Sequence, residues 1–123
     1  MLKMIVTGRR KPGLSLAEFD DHWSNHHSLL VQKLAKTLGI QKYVQNVRAE
    51  VPALAVSTPE RPESDAVPDF VAELWFTSAD DMIATAGSSA GQAANSELDK
   101  DSETFCDMSS IVVVFTYERA KAL

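Results

Sequence analysis

Residues 19–30, FDDHWSNHHSLL, carry all three histidines of the chain and one of its two tryptophans. Imidazole binds metals and moves protons near neutral pH. A cluster of His22, His26 and His27 therefore offers a metal site, an acid–base centre, or nothing more than a polar helix surface. The choice depends on where each ring points, and that depends on the helix carrying them. Ser15 and Glu18 have the capping-box spacing that starts a helix. Apolar residues then recur at Leu16, Phe19, Trp23, Leu30, Leu34 and Leu38, a helical stripe, and Gly39 follows as the stop. At about 100° per residue, His27 falls about 40° from Trp23, inside the stripe. His26 falls about 60° away on the opposite edge, and His22 about 100° away, facing water.

Rings that diverge in this way do not share an ion. His22 and His26 are one helical turn apart, but a third ligand would have to come from elsewhere, and catalytic zinc usually has three protein ligands. The expectation is a protein without stoichiometric zinc, iron or copper, so no metal ligands are assigned. His27 keeps two readings. It is either a core histidine with both nitrogens satisfied by neighbours, or a general acid or base facing a cavity between helix and sheet.

The elements that would position it follow from pattern. Residues 2–8 form a β-branched run closed by Gly8, a first strand, and RRKPG makes a turn. Residues 41–51 alternate as a second strand. Residues 52–69 hold four of the five prolines, a connector long enough to act as a lid. Residues 70–77 are a third strand. Ser78 caps a second helical region, which Gly87 and Gly91 divide into two short pieces. Residues 109–118 are a fourth strand. The order β-α-β-β-α-β predicts an α+β, ferredoxin-like domain over residues 1–123, with a four-stranded antiparallel sheet and helices on one face. Ile111, Val112, Val113, Val114 and Phe115 make the last strand apolar on both faces, so both need cover. A second copy of the chain would supply the face that the helices leave bare, giving a homodimer.

Composition narrows the function. A net charge of −5 with no extended basic cluster argues against nucleic acid and against an anionic membrane. No run approaches the roughly 20 apolar residues of a membrane span, and no leader pattern opens the chain, which predicts a soluble, cytoplasmic protein. Cys106 stands alone. It cannot form an internal disulfide or a multi-cysteine metal site, and reads as a small buried hydrophobe. No phosphate loop, flavin fingerprint or haem motif occurs, so no cofactor is expected.

Four further residues bear on chemistry. Glu73 is the one charge in the third strand, either an ion pair at the dimer face, with Arg48 as the candidate partner, or a carboxylate of the pocket. It shares a face with Trp75, while Phe70, Ala72, Leu74 and Phe76 take the other, helix-facing side. Tyr43 shares a face with Gln45 and Val47. It either packs at the sheet rim or offers a phenol to an oxyanion. Asp101, just before SETF, reads as a helix N-cap.

Arg10, Pro12, Gly13, Ser15, Glu18, Phe19, Trp23 and His27 together resemble the opening of EthD-domain proteins: a strand, an Arg-x-Pro-Gly turn, Ser-x-x-Glu-Phe, then Trp-x-x-x-His. KYVQN, VAELWF, DSETFCD and FTYE continue the outline, leaving out only residues 52–68. The resemblance implies a dimeric α+β barrel. That superfamily includes cofactor-free enzymes on aromatic polyketides and lactones, among them monooxygenases, cyclases, dehydratases and decarboxylases. The EthD proteins themselves include accessory proteins of ether degradation. On this basis the expected function is a lyase-type enzyme on a small aromatic, polyketide-like substrate, working without a cofactor. Its acid–base residues would be His27, His26 and Tyr43, and its pocket Phe19, Trp23, Leu30, Glu73 and Trp75. A cofactor-free monooxygenase and a non-catalytic accessory protein are the alternatives.

Overall fold

The computed structural model describes residues 1–54 and 67–123. The lid expected of the proline-rich connector falls mostly on residues 55–66, outside that range. What is described is a four-stranded antiparallel sheet with helices packed on one face. The strands are β1 (Leu2–Arg10), β2 (Ile40–Val47), β3 (Phe70–Phe76) and β4 (Cys106–Thr116), in the spatial order β2-β3-β1-β4. This is the ferredoxin-like arrangement predicted from the pattern.

The helical stretch after β1 begins where the capping box places it. Ser15 Oγ accepts from the Glu18 amide, and the Glu18 carboxylate accepts from the Ser15 amide, each at 3.0 Å. Gly39 ends it in the left-handed region, with φ of 73°. Between these ends it is not one α-helix. Helix α1 (Leu16–His22) passes into a π-helical turn (Trp23–His27), and α2 (Ser28–Leu38) resumes. The Ser28 amide bonds the Trp23 carbonyl five residues back rather than four. A π-turn inserts a residue and shifts every later side chain around the axis. The buried stripe therefore runs Phe19, Trp23, His27, Val31, Leu38, and Leu30 and Leu34 are only half-buried.

Other elements differ from expectation at their ends. Gly8 does not close the first strand, because pairing continues to Arg10 past a bulge between Thr7 and Arg9. Gly8 is needed there for room: a Cβ would lie 2.6 Å from Ile111 Cδ1 and 3.0 Å from the Phe70 ring. Strand β2 stops at Val47, and Pro52–Leu54 form a 3₁₀ turn. The second helical region does divide, into α3 (Ala79–Gly87) and α4 (Ser89–Phe105), but α4 is a 17-residue helix, not a short piece. Ser88 makes the break: its hydroxyl accepts from the Gly91 amide and caps α4.

The core lies between helices and sheet. Phe70, Ala72, Leu74 and Phe76 face it from β3, and Phe19, Trp23 and Phe105 close on them, Phe19 with no exposed surface. On the outer face, Lys3 pairs with Glu73 and Glu118. The ammonium groups of Lys3 and Lys42 both lie over the Trp75 ring, at 4.7 and 4.6 Å from its centre. Glu73 is thus paired, but with Lys3 in place of Arg48. Arg48 instead joins Arg10 in neutralising the buried carboxylate of Asp69, at 3.2 and 2.9 Å. Strand β4 remains bare in a single chain: Val112, Val113, Val114 and Phe115 are exposed by 47–60%.

Candidate active site

The π-turn decides where the histidines point. His27 follows His22 by five positions, just over one π-helical turn, so both rings reach the same flank, and α4 meets them there with Asp101. His27 Nδ1 is 2.7 Å from Asp101 Oδ2, His22 Nε2 is 3.1 Å from Oδ1, and His26 Nε2 is 3.4 Å from Oδ1. The divergence expected of a regular α-helix is overturned. His22, expected in water, is half-buried against Asp101, whereas His26, expected at the border, is the most exposed of the three at 66%. Only His27 lies where the sequence placed it, buried between helix and sheet.

Asp101 is the group that sequence reasoning misassigned. It is not an N-cap but lies inside α4, one turn before Phe105. The i, i+4 spacing sets both on one helix face. The Phe105 ring is 4.5 Å from that of His22 and 5.0 Å from that of His27, forming a floor for the imidazoles. Asp and Phe four apart near the end of a helix was the one sequence signal available, and nothing in it pointed to histidines more than 70 residues away.

Burial raises the Asp101 carboxyl, but hydrogen bonds from His27 and His22 and their charge more than offset this and hold it below its ordinary value. It is a carboxylate, an acceptor only, so the His27 nitrogen facing it must carry the proton. The lone pair is thereby left on Nε2, which has no protein hydrogen-bond partner among the described residues. For His27, burial lowers the pKa more than Asp101 raises it, and charge on His22 and His26 lowers it further. The neutral base prevails at pH 7.

That ring opens on a cavity of about 260 Å³ between helices and sheet, lined among others by Trp23, His27, Val31, Tyr43, Phe70 and Cys106. Tyr43 thus reaches the same space as His27. Gln45 fixes it: the side-chain amide nitrogen donates to Tyr43 Oη at 2.8 Å and to the Trp23 carbonyl at 3.0 Å. Because Tyr43 Oη accepts from Gln45, its own proton is free to donate into the cavity. Burial raises the Tyr43 pKa, which keeps that proton in place. Burial also pushes the Cys106 thiol up to about 12, an inert group as expected.

The other expected pocket residues are placed differently. Phe19 stacks behind the cavity wall against Phe70 and Trp23. The π-turn's phase shift puts Val31 at the cavity in place of Leu30. Glu73 and Trp75 stand on the opposite face of the sheet, as strand alternation requires. His26 reaches Asp101 from the solvent side and does not line the cavity.

The chain is thus an α+β, ferredoxin-like protein with a histidine–carboxylate pair at an apolar cavity. The family model of the EthD domain matches residues 11–109, and the chain belongs to that family. No curated protein matches the sequence significantly. Among solved structures, an EthD-family protein from Bacillus halodurans is similar, with a TM-score of 0.61 and 18% identity over 97% of this chain and 99% of that one. A hydroxynitrile lyase from Passiflora edulis aligns with a TM-score of 0.60 and 17% identity, over 99% and 96%. SnoaB from Streptomyces nogalater, a cofactor-independent oxygenase, aligns with a TM-score of 0.54 and 9% identity, over 98% and 94%. At these identities the likeness is one of fold. No helix among the described residues is long and apolar enough to cross a membrane.

Proposed function

We propose that the protein is a cofactor-independent enzyme of the lyase type, acting on a small aromatic, polyketide-like molecule and working as a homodimer. The observation that carries this reading is His27: Asp101 holds its Nδ1, and the residue lines an apolar cavity that Tyr43 also lines. In a dehydration, Nε2 would take a proton from carbon next to a carbonyl. Asp101 would stabilise the imidazolium, and Tyr43 would donate to the developing enolate oxygen. The imidazolium would then return the proton to the departing hydroxyl, releasing water. A cavity of about 150 Å³ can hold benzene, so 260 Å³ suits one or two rings, with any larger skeleton extending through the mouth.

The same base could deprotonate a phenol for reaction with dioxygen. The likeness in fold to a cofactor-independent oxygenase favours this as the second reading, and the likeness to a hydroxynitrile lyase is compatible with the first. One- and two-ring β-hydroxy carbonyl compounds should be screened for loss of water, with oxygen uptake followed in parallel. Elimination that is independent of dioxygen and lost in His27→Ala supports the lyase. Oxygen uptake lost in the same variant supports the oxygenase. Tight ligand binding with neither reaction would make it a binding protein.

A further inference from the structure

The three imidazoles do not serve Asp101 in the same way. His27 takes one carboxylate oxygen, Oδ2, from the cavity side. The Nε2 atoms of His22 and His26 both lie by the other, Oδ1, at 3.1 and 3.4 Å, and His22 Nε2 is also 3.2 Å from Oδ2. All three outer atoms lie within 4.8 Å of one another. Zinc bonded to nitrogen and oxygen at about 2.0–2.2 Å sets tetrahedral ligand atoms about 3.4 Å apart. Both nitrogen–oxygen separations already lie near that edge, and the two nitrogens are within 4.8 Å of each other.

We propose that His22 Nε2, His26 Nε2 and Asp101 Oδ1 form a binding site for a divalent transition cation of the zinc type, on the solvent side of the histidine cluster. Two imidazoles and one carboxylate suit zinc, nickel or copper and disfavour magnesium and calcium. The surroundings are those of a built site. His27 orients the ligating carboxylate through its second oxygen, the outer-sphere support that metal ligands require. Phe105 fixes the plane of His22 from below. The exposed His26 leaves an entry path, and water can complete the coordination sphere. His22, His26 and Asp101 do not line the cavity, so the ion would not touch a substrate there. Its effect would be to tie the π-turn to α4. The i, i+4 spacing brings His22 and His26 to one flank, and the π-turn brings His27 to the same carboxylate from behind.

The test needs no substrate, so its outcome is independent of the proton-transfer reading. Untagged protein is stripped with a chelator, dialysed, and titrated with Zn²⁺ by calorimetry and with Co²⁺ by visible absorption. The expected result is about one ion per chain with a dissociation constant at or below about 1 μM, a cobalt ligand-field band, and a higher Tm with Zn²⁺. His26→Ala, a change at an exposed residue that leaves the fold undisturbed, should weaken binding by about 10-fold or more, and so should His22→Ala. Well under one ion per chain overturns the proposal. So does stoichiometric binding that His26→Ala and His22→Ala leave unchanged, since the ion would then lie elsewhere.

Discussion

The side-chain amide of Gln45 donates to the main-chain oxygen of Trp23 across 3.0 Å, joining strand β2 to the first residue of the π-turn. The same nitrogen donates to Tyr43. One side chain therefore holds the helical irregularity that aims His27 and also orients the phenol opposite. Gln45→Leu removes both bonds, leaving the half-buried Tyr43 Oη without its donor and the Trp23 carbonyl with the Ser28 amide alone. A loss of about 1–3 kcal/mol is expected by denaturant titration. Amide exchange at Ser28, whose N–H bonds the same carbonyl, should accelerate. Unchanged exchange there would mean that the π-turn is held by packing alone.

His27→Ala should lower turnover by about 10²-fold or more, the usual range for a group that moves the proton. Asp101→Asn tests the pairing more finely. The amide can present its NH₂ to Nδ1 and so favour the tautomer with its proton on Nε2, removing the base from the cavity. Turnover should fall with little change in KM. If Asp101→Asn keeps full activity, the carboxylate is not setting the tautomer of His27.

Much of this site was legible before the fold was known. The capping box, the Gly39 stop, the alternation of β3 and the burial of His27 follow from local rules that the structure obeys. The directions of His22 and His26 were not legible, because a rotation of 100° per residue holds only while each amide bonds four residues back. One five-residue step at Trp23 moves Val31 into the place of Leu30 and gathers rings that should diverge. Asp101 was hidden for a different reason. A carboxylate near the end of a helical segment looks locally like a cap, and its true partners lie across the fold. Glu73 shows the converse: alternation placed it on the outer face, but which cation of that face would pair with it depended on strand order.

Lys3 and Glu73 pair across adjacent strands, so stability should depend on pH in a defined sense. Hydrogen bonds from Lys3 and then Asn46 hold the Glu73 carboxyl below its ordinary value near 4.5. Its contribution is therefore full above that value and is lost as pH falls through the lowered one. Hydrogen bonds to Glu73 and Glu118 raise Lys3 above 10.5, so its contribution fades only at high pH. Tm measured from about pH 6 down to about pH 3 should drop more steeply in the wild type than in Glu73→Gln. Parallel curves would show that the pair adds nothing.

Gly91 and Gly87 should respond oppositely to alanine. A Cβ on Gly91 would lie 1.8 Å from the carbonyl oxygen of Thr85, a backbone atom that cannot rotate away, so α3 and α4 would have to separate. Gly91→Ala should cost about 1–3 kcal/mol or more, as overpacking does. A Cβ on Gly87 meets nothing within 4 Å, and its φ is not in the left-handed region. Gly87→Ala should be neutral or stabilise by up to about 1 kcal/mol. Equal effects at the two sites would show that the junction between the helices yields easily.

The outer face of the sheet sets the last expectation. Ile5 sits between Glu73 on β3 and Val114 on β4, and Thr7 between Val71 and Val112. A mostly apolar strip thus crosses three strands, with Val112 and Val114 exposed by 60% and 47%. Contiguous apolar surface of this kind marks an interface. Sheet-to-sheet pairing of two copies would cover it, with the Lys3–Glu73 pair and the Trp75 ring at its margin. Sedimentation at micromolar concentration should give about twice the 13.5 kDa mass of the chain. Val114→Asp would set a charge opposite an apolar partner surface on the exposed side of edge strand β4 and should yield a folded monomer, since burying an unpaired carboxylate costs several kcal/mol. A wild-type monomer at that concentration, or a Val114→Asp dimer as tight as the wild type, would rule out this face as the contact.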